Sequence, residues 1–192
     1  MEFKDSRTAQ NLLKAFAGES QARNRYTFAA GIARQEGLEH VAAIFEETAA
    51  NERAHAGLFY QQLAPLAPCA LEITAGYPVV AGDTAAQLKA AVSGENEEWS
   101  ALYPEFARIA REEGFASAAR VFEAIAKVEK EHEARFAKLL DHVVNGTVFQ
   151  RGEKIYWRCL ECGHIHEGVA APKACPVCLK PQAFFAPAYE KF

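Results

Sequence analysis

The sequence lacks several features that would each point to a common partner. No apolar run approaches the ~18 residues that a membrane span requires. No Lys/Arg cluster breaks up its 21 basic and 25 acidic side chains, and the net charge of −4 disfavours nucleic acid and anionic lipid. The opening stretch, Met1-Glu2-Phe3-Lys4-Asp5-Ser6-Arg7, is charged from its second residue and has no apolar core of a secretory signal. The cytoplasm is therefore the expected compartment. No Gly-x-Gly-x-x-Gly is present, so a nicotinamide-linked reaction would need a separate reductase or carrier protein. Cysteine is nearly absent as well: Cys69 stands alone until Cys159, Cys162, Cys175 and Cys178 crowd together near the end. Without a secretion signal, two Cys-x-x-Cys pairs suggest a metal site before they suggest disulfides.

What is present is a chain of 192 residues, half of them apolar, which suits one ordinary domain with a small second one and excludes a disordered chain. The pattern predicts a first domain over residues 1–146 and a second over 147–192. Residues 6–63 read as two long helices, capped at the start by Ser6 or Asp5 and separated by a turn at Glu36-Gly37. Pro65, Pro68 and Pro78 mark residues 64–82 as a long crossover without helical period. Asp83-Thr84 caps a third helix running to about Glu113, with Pro104 inside it as a potential bend. Gly114 separates this helix from a fourth, which ends near Asn145-Gly146. Beyond that point, Thr147–Phe149 and Ile155–Arg158 read as a hairpin about a turn at Arg151-Gly152, followed by the cysteines and the aromatics Phe184, Phe185, Tyr189 and Phe192. A tail of this size needs a metal staple.

An internal repeat ties the four helices together. A shift of 77 residues superimposes Tyr26 on Tyr103, Glu36-Gly37 on Glu113-Gly114, Glu52 on Glu129 and His55 on His132. Over residues 26–55, 13 of 30 positions are identical, well above what shared composition gives. Upstream the shift is 76, pairing Thr8 with Thr84, Leu12 with Leu88 and Glu19 with Glu95. The second copy thus holds one extra residue between its first glutamate and its tyrosine. Two helical hairpins joined by a long crossover predict a four-helix bundle with pseudo-twofold symmetry.

The bundle's apolar seams carry chemistry. The second helix presents Val41, Phe45, Thr48, Glu52, His55 and Phe59; the fourth presents Phe122, Ile125, Glu129, His132, Phe136 and Leu139. A Glu-x-x-His interrupts both seams at the same level, and Glu19 and Glu95 sit in the comparable stripes of helices one and three. Four buried carboxylates without cations would be costly. A Glu from each of two helices with Glu-x-x-His from the other two is the ligand set of di-iron carboxylate bundles, and carboxylates with imidazoles suit iron or manganese better than zinc. Glu98, one turn beyond Glu95, adds a fifth carboxylate opposite Gln21 or Ala22 in the first copy, which makes the site asymmetric. The extra residue between Glu95 and Tyr103 predicts a π-bulge there. Tyr26 and Tyr103 have two open readings: core residues with satisfied hydroxyls, or groups that orient the ligand carboxylates. His40, His142, His164 and His166 have no repeat partners and read as surface residues, and Cys69 as a packing or surface thiol. In the tail, Cys159, Cys162, Cys175 and Cys178 predict tetrahedral sulfur ligation; spacing alone favours zinc without excluding iron.

Together these residues resemble the rubrerythrin family along the whole chain. The resemblance rests on Gly18-Glu19-Ser20-Gln21-Ala22-Arg23, Asn51-Glu52-Arg53-Ala54-His55, Gly94-Glu95-Asn96-Glu97-Glu98-Trp99, Glu129-Lys130-Glu131-His132 and the four tail cysteines. It implies a ferritin-like four-helix bundle followed by a small β-rich rubredoxin-like domain. It also implies a non-haem di-iron peroxidase that reduces hydrogen peroxide to water and protects against oxidative stress. Glu19, Glu52, Glu95, Glu98, Glu129 and His132 would be iron ligands, Glu52 and Glu129 bridging, with His55 and Glu98 exchanging on one iron as the redox state changes. It favours iron over zinc on the four cysteines, acting as a one-electron carrier. A homodimer is implied, in which one subunit's tail approaches the other's di-iron site, together with an external reductase or rubredoxin-like donor. One departure is Leu179, where stand-alone rubredoxins commonly have glycine after the second cysteine pair; it bears on the geometry of that knuckle rather than on ligation. Two rival readings share some of these residues: a ferroxidase or iron-storing ferritin-like protein, and a non-enzymatic zinc-ribbon module on a helical bundle.

Overall fold

The 3.6-residue apolar period and the start and stop signals produce long helices where they are expected. The structure, a computed structural model, describes residues 2–189, so Met1 and the predicted tail aromatic Phe192 lie outside it. Helix α1 spans Arg7–Gln35 and α2 spans Glu39–Leu63. The third helix of the bundle is built from α3 (Thr84–Glu97), a π-helical turn over Glu98–Leu102, and α4 (Tyr103–Glu112). Helix α5 covers Ala116–Val144. Ser6 Oγ accepts from the Ala9 N–H and Asp83 Oδ1 from the Ala86 N–H, so both hairpins begin on side-chain caps. Between the hairpins, residues 67–83 form an extended strap; Tyr77 from this strap donates to the Lys14 carbonyl of α1. Among the described residues, no helix is long and apolar enough to cross a membrane.

The predicted π-bulge falls where the repeat has its extra residue. The Tyr103 N–H reaches back to the Glu98 carbonyl, five residues away, which is the π pattern. Pro104 lies just beyond it, at the start of α4, where a missing N–H interrupts least. The irregularity of this helix is thus the π turn rather than a proline bend.

The repeat organises the core as well. One apolar cluster contains Tyr26, Phe45, Leu88 and Phe136; the other contains their repeat counterparts Tyr103, Phe122, Leu12 and Phe59. Ring separations match across the pseudo-twofold: Tyr26–Phe136 5.2 Å against Tyr103–Phe59 5.4 Å, and Phe45–Phe136 5.1 Å against Phe122–Phe59 5.1 Å. The carboxylates and imidazoles lie between these two aromatic layers. The turns between helices are also exchanged. Glu113 accepts from the Arg7 and Thr8 N–H groups and from Thr8 Oγ1, so it caps α1. Glu36, its counterpart, accepts from the Thr84 N–H and caps α3. Each hairpin's turn therefore holds the start of the other hairpin.

The tail corrects one expectation. Residues 147–149 form a turn and not a strand, and Arg151-Gly152 lie inside a continuous strand β1 (Gln150–Cys159). The chain reverses instead at the first cysteine pair, so β1 pairs antiparallel with β2 (Ile165–Ala170). The loop there is held by sulfur geometry, which a strand-and-turn reading does not include. Strand β3 (Phe185–Pro187) pairs with the other edge of β1, giving the order β2-β1-β3 around a buried Trp157. The residues leading into β3 touch α2, and Ala183 comes close to Gly37 at the α1–α2 turn.

Candidate metal centres

Helical spacing brings the four glutamates and two histidines to one level of the bundle. They form two overlapping groups, Glu19, Glu52, His55 and Glu129, and Glu52, Glu95, Glu129 and His132, each with its ligand atoms within 4.8 Å of one another. Glu52 and Glu129, one from each Glu-x-x-His, belong to both. All six residues are buried. His55 Nδ1 lies 2.8 Å from Glu129 and 3.0 Å from Glu52; His132 Nδ1 lies 2.8 Å from Glu129 and 3.2 Å from Glu52. The two imidazole rings stack at 5.8 Å.

The polar groups in this layer do not satisfy one another. Glu19 Oε2, Glu52 Oε1, Glu95 Oε2, both oxygens of Glu129 and His132 Nδ1 are buried without a hydrogen-bond partner. His132 Nδ1 is close to carboxylates but not in hydrogen-bond geometry with them. Orphaned acceptors converging from four helices are expensive unless a cation takes their lone pairs. The donor set, four carboxylates and two imidazoles, fits a pair of hard divalent ions.

The electrostatics carry the same strain. Burial, then repulsion from Glu52, Glu98 and Glu129, drives the Glu19 pKa well above the usual carboxylate range. Burial lifts Glu95 to about 8 despite the opposing pull of His132. Burial also raises Glu52, but His132 and His55 beside it more than offset this and hold it at about 2. Burial lowers both histidines, yet Glu129 and Glu52 raise His55 to about 9, and Glu129, Glu52 and Glu95 push His132 up to about 12. Without metal, the layer keeps protons that bound cations would displace.

The tyrosines sit crosswise. Tyr26 of the first hairpin donates to Glu95 Oε1 of the second at 2.5 Å, and Tyr103 of the second donates to Glu19 Oε1 of the first. In each glutamate the other oxygen, Oε2, is the one left unpartnered. Glu98 joins neither group of ligand atoms. It is half-buried at the wall of a cavity of about 340 Å³ that opens beside the layer, bounded also by Arg25, Tyr103 and Tyr77 of the strap. Burial and the charges of Glu95, Glu129 and Glu52 raise its pKa well above normal, partly countered by Arg25. His40, His142, His164 and His166, expected at the surface, are all half-buried; His142 Nδ1 lies 2.9 Å from Thr147 Oγ1. Cys69 is exposed on the strap.

The four remaining cysteines form the second centre, with their sulfurs within 4.8 Å of one another. Cys159–Cys178 and Cys162–Cys175 are each 3.6 Å apart. That is far beyond a disulfide and close to the edge, about 3.8 Å, of a tetrahedron with metal–sulfur bonds of ~2.3 Å. The two knuckles repeat each other. Gly163 N–H bonds the Cys159 carbonyl and Leu179 N–H bonds the Cys175 carbonyl, with φ of +77° and +61°. Leu179 thus adopts the left-handed backbone usually left to glycine. Burial raises the Cys175 thiol, but the Cys178 and Val177 N–H groups facing its sulfur bring it down to about 7; the Lys180 N–H lowers Cys178, but burial and the other three sulfurs push it up to about 12, so without metal the cluster keeps protons.

Fold and sites define a class: a ferritin-like bundle with di-iron carboxylate site candidates, followed by a rubredoxin-like four-cysteine domain. The rubrerythrin family model matches residues 10–140, and the model of the rubrerythrin rubredoxin-like domain matches residues 157–186. The chain is 53% identical to Rubrerythrin-1 of Clostridium acetobutylicum over 95% of its own length and 94% of that protein's. It is likewise 53% identical to the rubrerythrin of Porphyromonas gingivalis, over 96% and 91%. Among solved structures, fully reduced, all-ferrous nigerythrin superimposes with a TM-score of 0.65 at 34% identity, covering 95% of this chain and 90% of that one. The chain belongs to the rubrerythrin family.

Proposed function

We propose that this protein is a non-haem di-iron peroxidase that reduces hydrogen peroxide to water (H2O2 + 2 e⁻ + 2 H⁺ → 2 H2O) and protects the cytoplasm against oxidative stress. The observation that supports this most directly is the pair of ligand groups sharing Glu52 and Glu129, residues that two adjacent ions would hold in common. Glu19 and His55 would complete one position, Glu95 and His132 the other. Two ferrous ions held there would supply the two electrons that peroxide reduction consumes.

The chain's own groups do the positioning. Tyr26 and Tyr103 each occupy one oxygen of Glu95 and Glu19, leaving Oε2 of each for a cation. Glu98 belongs to neither ligand group while His55 is within one; by the family resemblance these two residues would be the alternatives for a single metal position. The cavity beside Glu98 and Tyr103 gives peroxide its approach. Residues 1–146 would form the catalytic unit, and the four cysteines within residues 147–192 would hold one iron suited to relaying single electrons from an external reductase or rubredoxin-like donor. The tail packs at the α1–α2 turn near Gly37, and the stretch of α2 from Glu39 to Glu52 spans about 20 Å. A homodimer in which a partner's tail serves the site is the arrangement that shortens this path.

Anaerobic loading with ferrous iron, followed by peroxide, tests the proposal. Two irons should bind in the bundle and one on the cysteines, and peroxide should oxidise all of them rapidly while yielding only water. An iron-loaded protein inert to peroxide would overturn it, and accumulation of hundreds of irons per assembly would favour iron storage instead.

A further inference from the structure

The π turn is tied down by a residue that belongs to neither metal centre. Glu133 follows His132 directly in α5, and its carboxylate points outward to the third helix of the bundle. Asn96 Nδ2 donates to Glu133 Oε1 at 3.0 Å, and Trp99 Nε1 donates to Glu133 Oε2 at 2.5 Å. Lys130, one turn earlier on α5, places its ammonium 5.2 Å over the Trp99 ring. Asn96 and Trp99 are the immediate followers of Glu95 and Glu98. A single side chain therefore links the strand of backbone bearing Glu95 and Glu98 to the one bearing Glu129 and His132.

The repeat supplies an internal comparison. The counterpart of Glu133 is Ala56, and that of Trp99 is Ala22 or Arg23, so the first copy has neither half of this contact. The first copy also has no extra residue, runs as regular α-helix through the equivalent positions, and offers no counterpart of Glu98. The link occurs only where the π turn and the fifth carboxylate occur. A π turn is rare and occurs mostly as a single-turn bulge inside α-helix, and a charge-assisted bond from outside is a strong contact available to hold it in one register.

We infer that Glu133 is a positioning residue which, through Trp99 and Asn96, holds the π turn so that Glu98 is presented to the di-iron site. This rests on the di-iron reading above. Glu133→Ala should leave helix content and the absorption of the four-cysteine iron unchanged while weakening iron binding in the bundle by about 10- to 100-fold, the usual effect of losing a group that orients a ligand. In the iron-free protein the same change should speed hydrogen exchange of the amides from Glu98 to Tyr103, with no effect in α1. Glu133→Gln, which keeps one acceptor, should recover part of the affinity. Trp99→Phe should lose less than Glu133→Ala, and combining the two should cost no more than Glu133→Ala alone. Wild-type iron affinity in Glu133→Ala, or additive losses in the double variant, would overturn the inference. If Glu133→Ala fails to fold, Trp99→Phe carries the test, and wild-type affinity and exchange in it would overturn the inference equally. A wild-type bundle that binds no iron would instead defeat the di-iron reading. In that event, unchanged exchange at Glu98–Tyr103 in Glu133→Ala would still overturn the link itself.

Discussion

At the scale of the residue, the two knuckles of the tail show one backbone requirement met by two different side chains. Gly163 takes positive φ without steric cost, whereas Leu179 takes it against the clash of its Cβ, which costs an L-residue about 1–2 kcal/mol. Leu179 is 78% exposed, so it recovers little of this by packing. Leu179→Gly is therefore expected to stabilise the tail by about 1 kcal/mol, somewhat less than the strain removed because glycine also loosens the unfolded chain. Denaturant titration of the iron–thiolate absorption measures this; a midpoint that falls would show that Leu179 makes a contact worth more than its strain. The sequence marked Leu179 as the departure but could not tell whether the loop would change shape. The structure keeps the shape, because both knuckles are bound by the same pair of backbone hydrogen bonds: the Cys159 N–H donates to the His164 carbonyl and its carbonyl accepts from Gly163, as the Cys175 N–H donates to Lys180 and its carbonyl accepts from Leu179.

At the scale of the element, the four helices were legible from their periods, and the π turn from a one-residue discrepancy between two copies. The crosswise contacts between hairpins were not. Glu36 and Glu113 stand at turns, where a charged residue carries no signal of what it will meet, yet each caps the helix that begins the opposite hairpin. Removing Glu113 strips two N–H groups and a hydroxyl of their acceptor, whereas removing Glu36 strips one N–H at longer range. Glu113→Ala should cost about 1–2 kcal/mol of stability and Glu36→Ala a few tenths. Thermal unfolding of the two variants decides the order; equal losses would mean that the caps are interchangeable. The predicted hairpin at Arg151-Gly152 fails for a related reason: strand propensity cannot anticipate a reversal set by cysteine ligation a few residues later.

At the scale of the whole molecule, the buried layer makes stability depend on pH with a definite sign. In the iron-free protein Glu19, Glu95 and Glu98 hold protons that the unfolded chain releases near its ordinary carboxylate pKa of 4.5, and Glu95 keeps its own up to about 8. His55, raised to about 9, and His132, raised to about 12, likewise add stability that is fully present below 6.5 and is lost as pH rises through those values. Only Glu52, held at about 2, acts in the opposite sense, adding stability above 4.5 that is lost as pH falls toward 2. Helix melting of the iron-free protein should therefore occur at lower temperature at pH 9 than at pH 6. Iron binds the deprotonated groups, so the gain in melting temperature on loading should grow over the same interval. A gain that shrank with pH would mean that these carboxylates and imidazoles do not hold the metal.

The sequence by itself determined the periodic features: four helices, two copies of Glu-x-x-His at one level, two pairs of cysteines, and the single inserted residue. These are local in the chain, and helix geometry converts spacing directly into a shared face. Only the tertiary structure decided which oxygen of Glu19 and Glu95 the opposite tyrosine occupies, that Glu98 stops short of the ligand groups, and that Glu133 reaches across to the π turn. Those relations join residues 34 to 84 positions apart, and they depend on how two hairpins interlock around a buried charge, for which no run of neighbouring residues carries a signature.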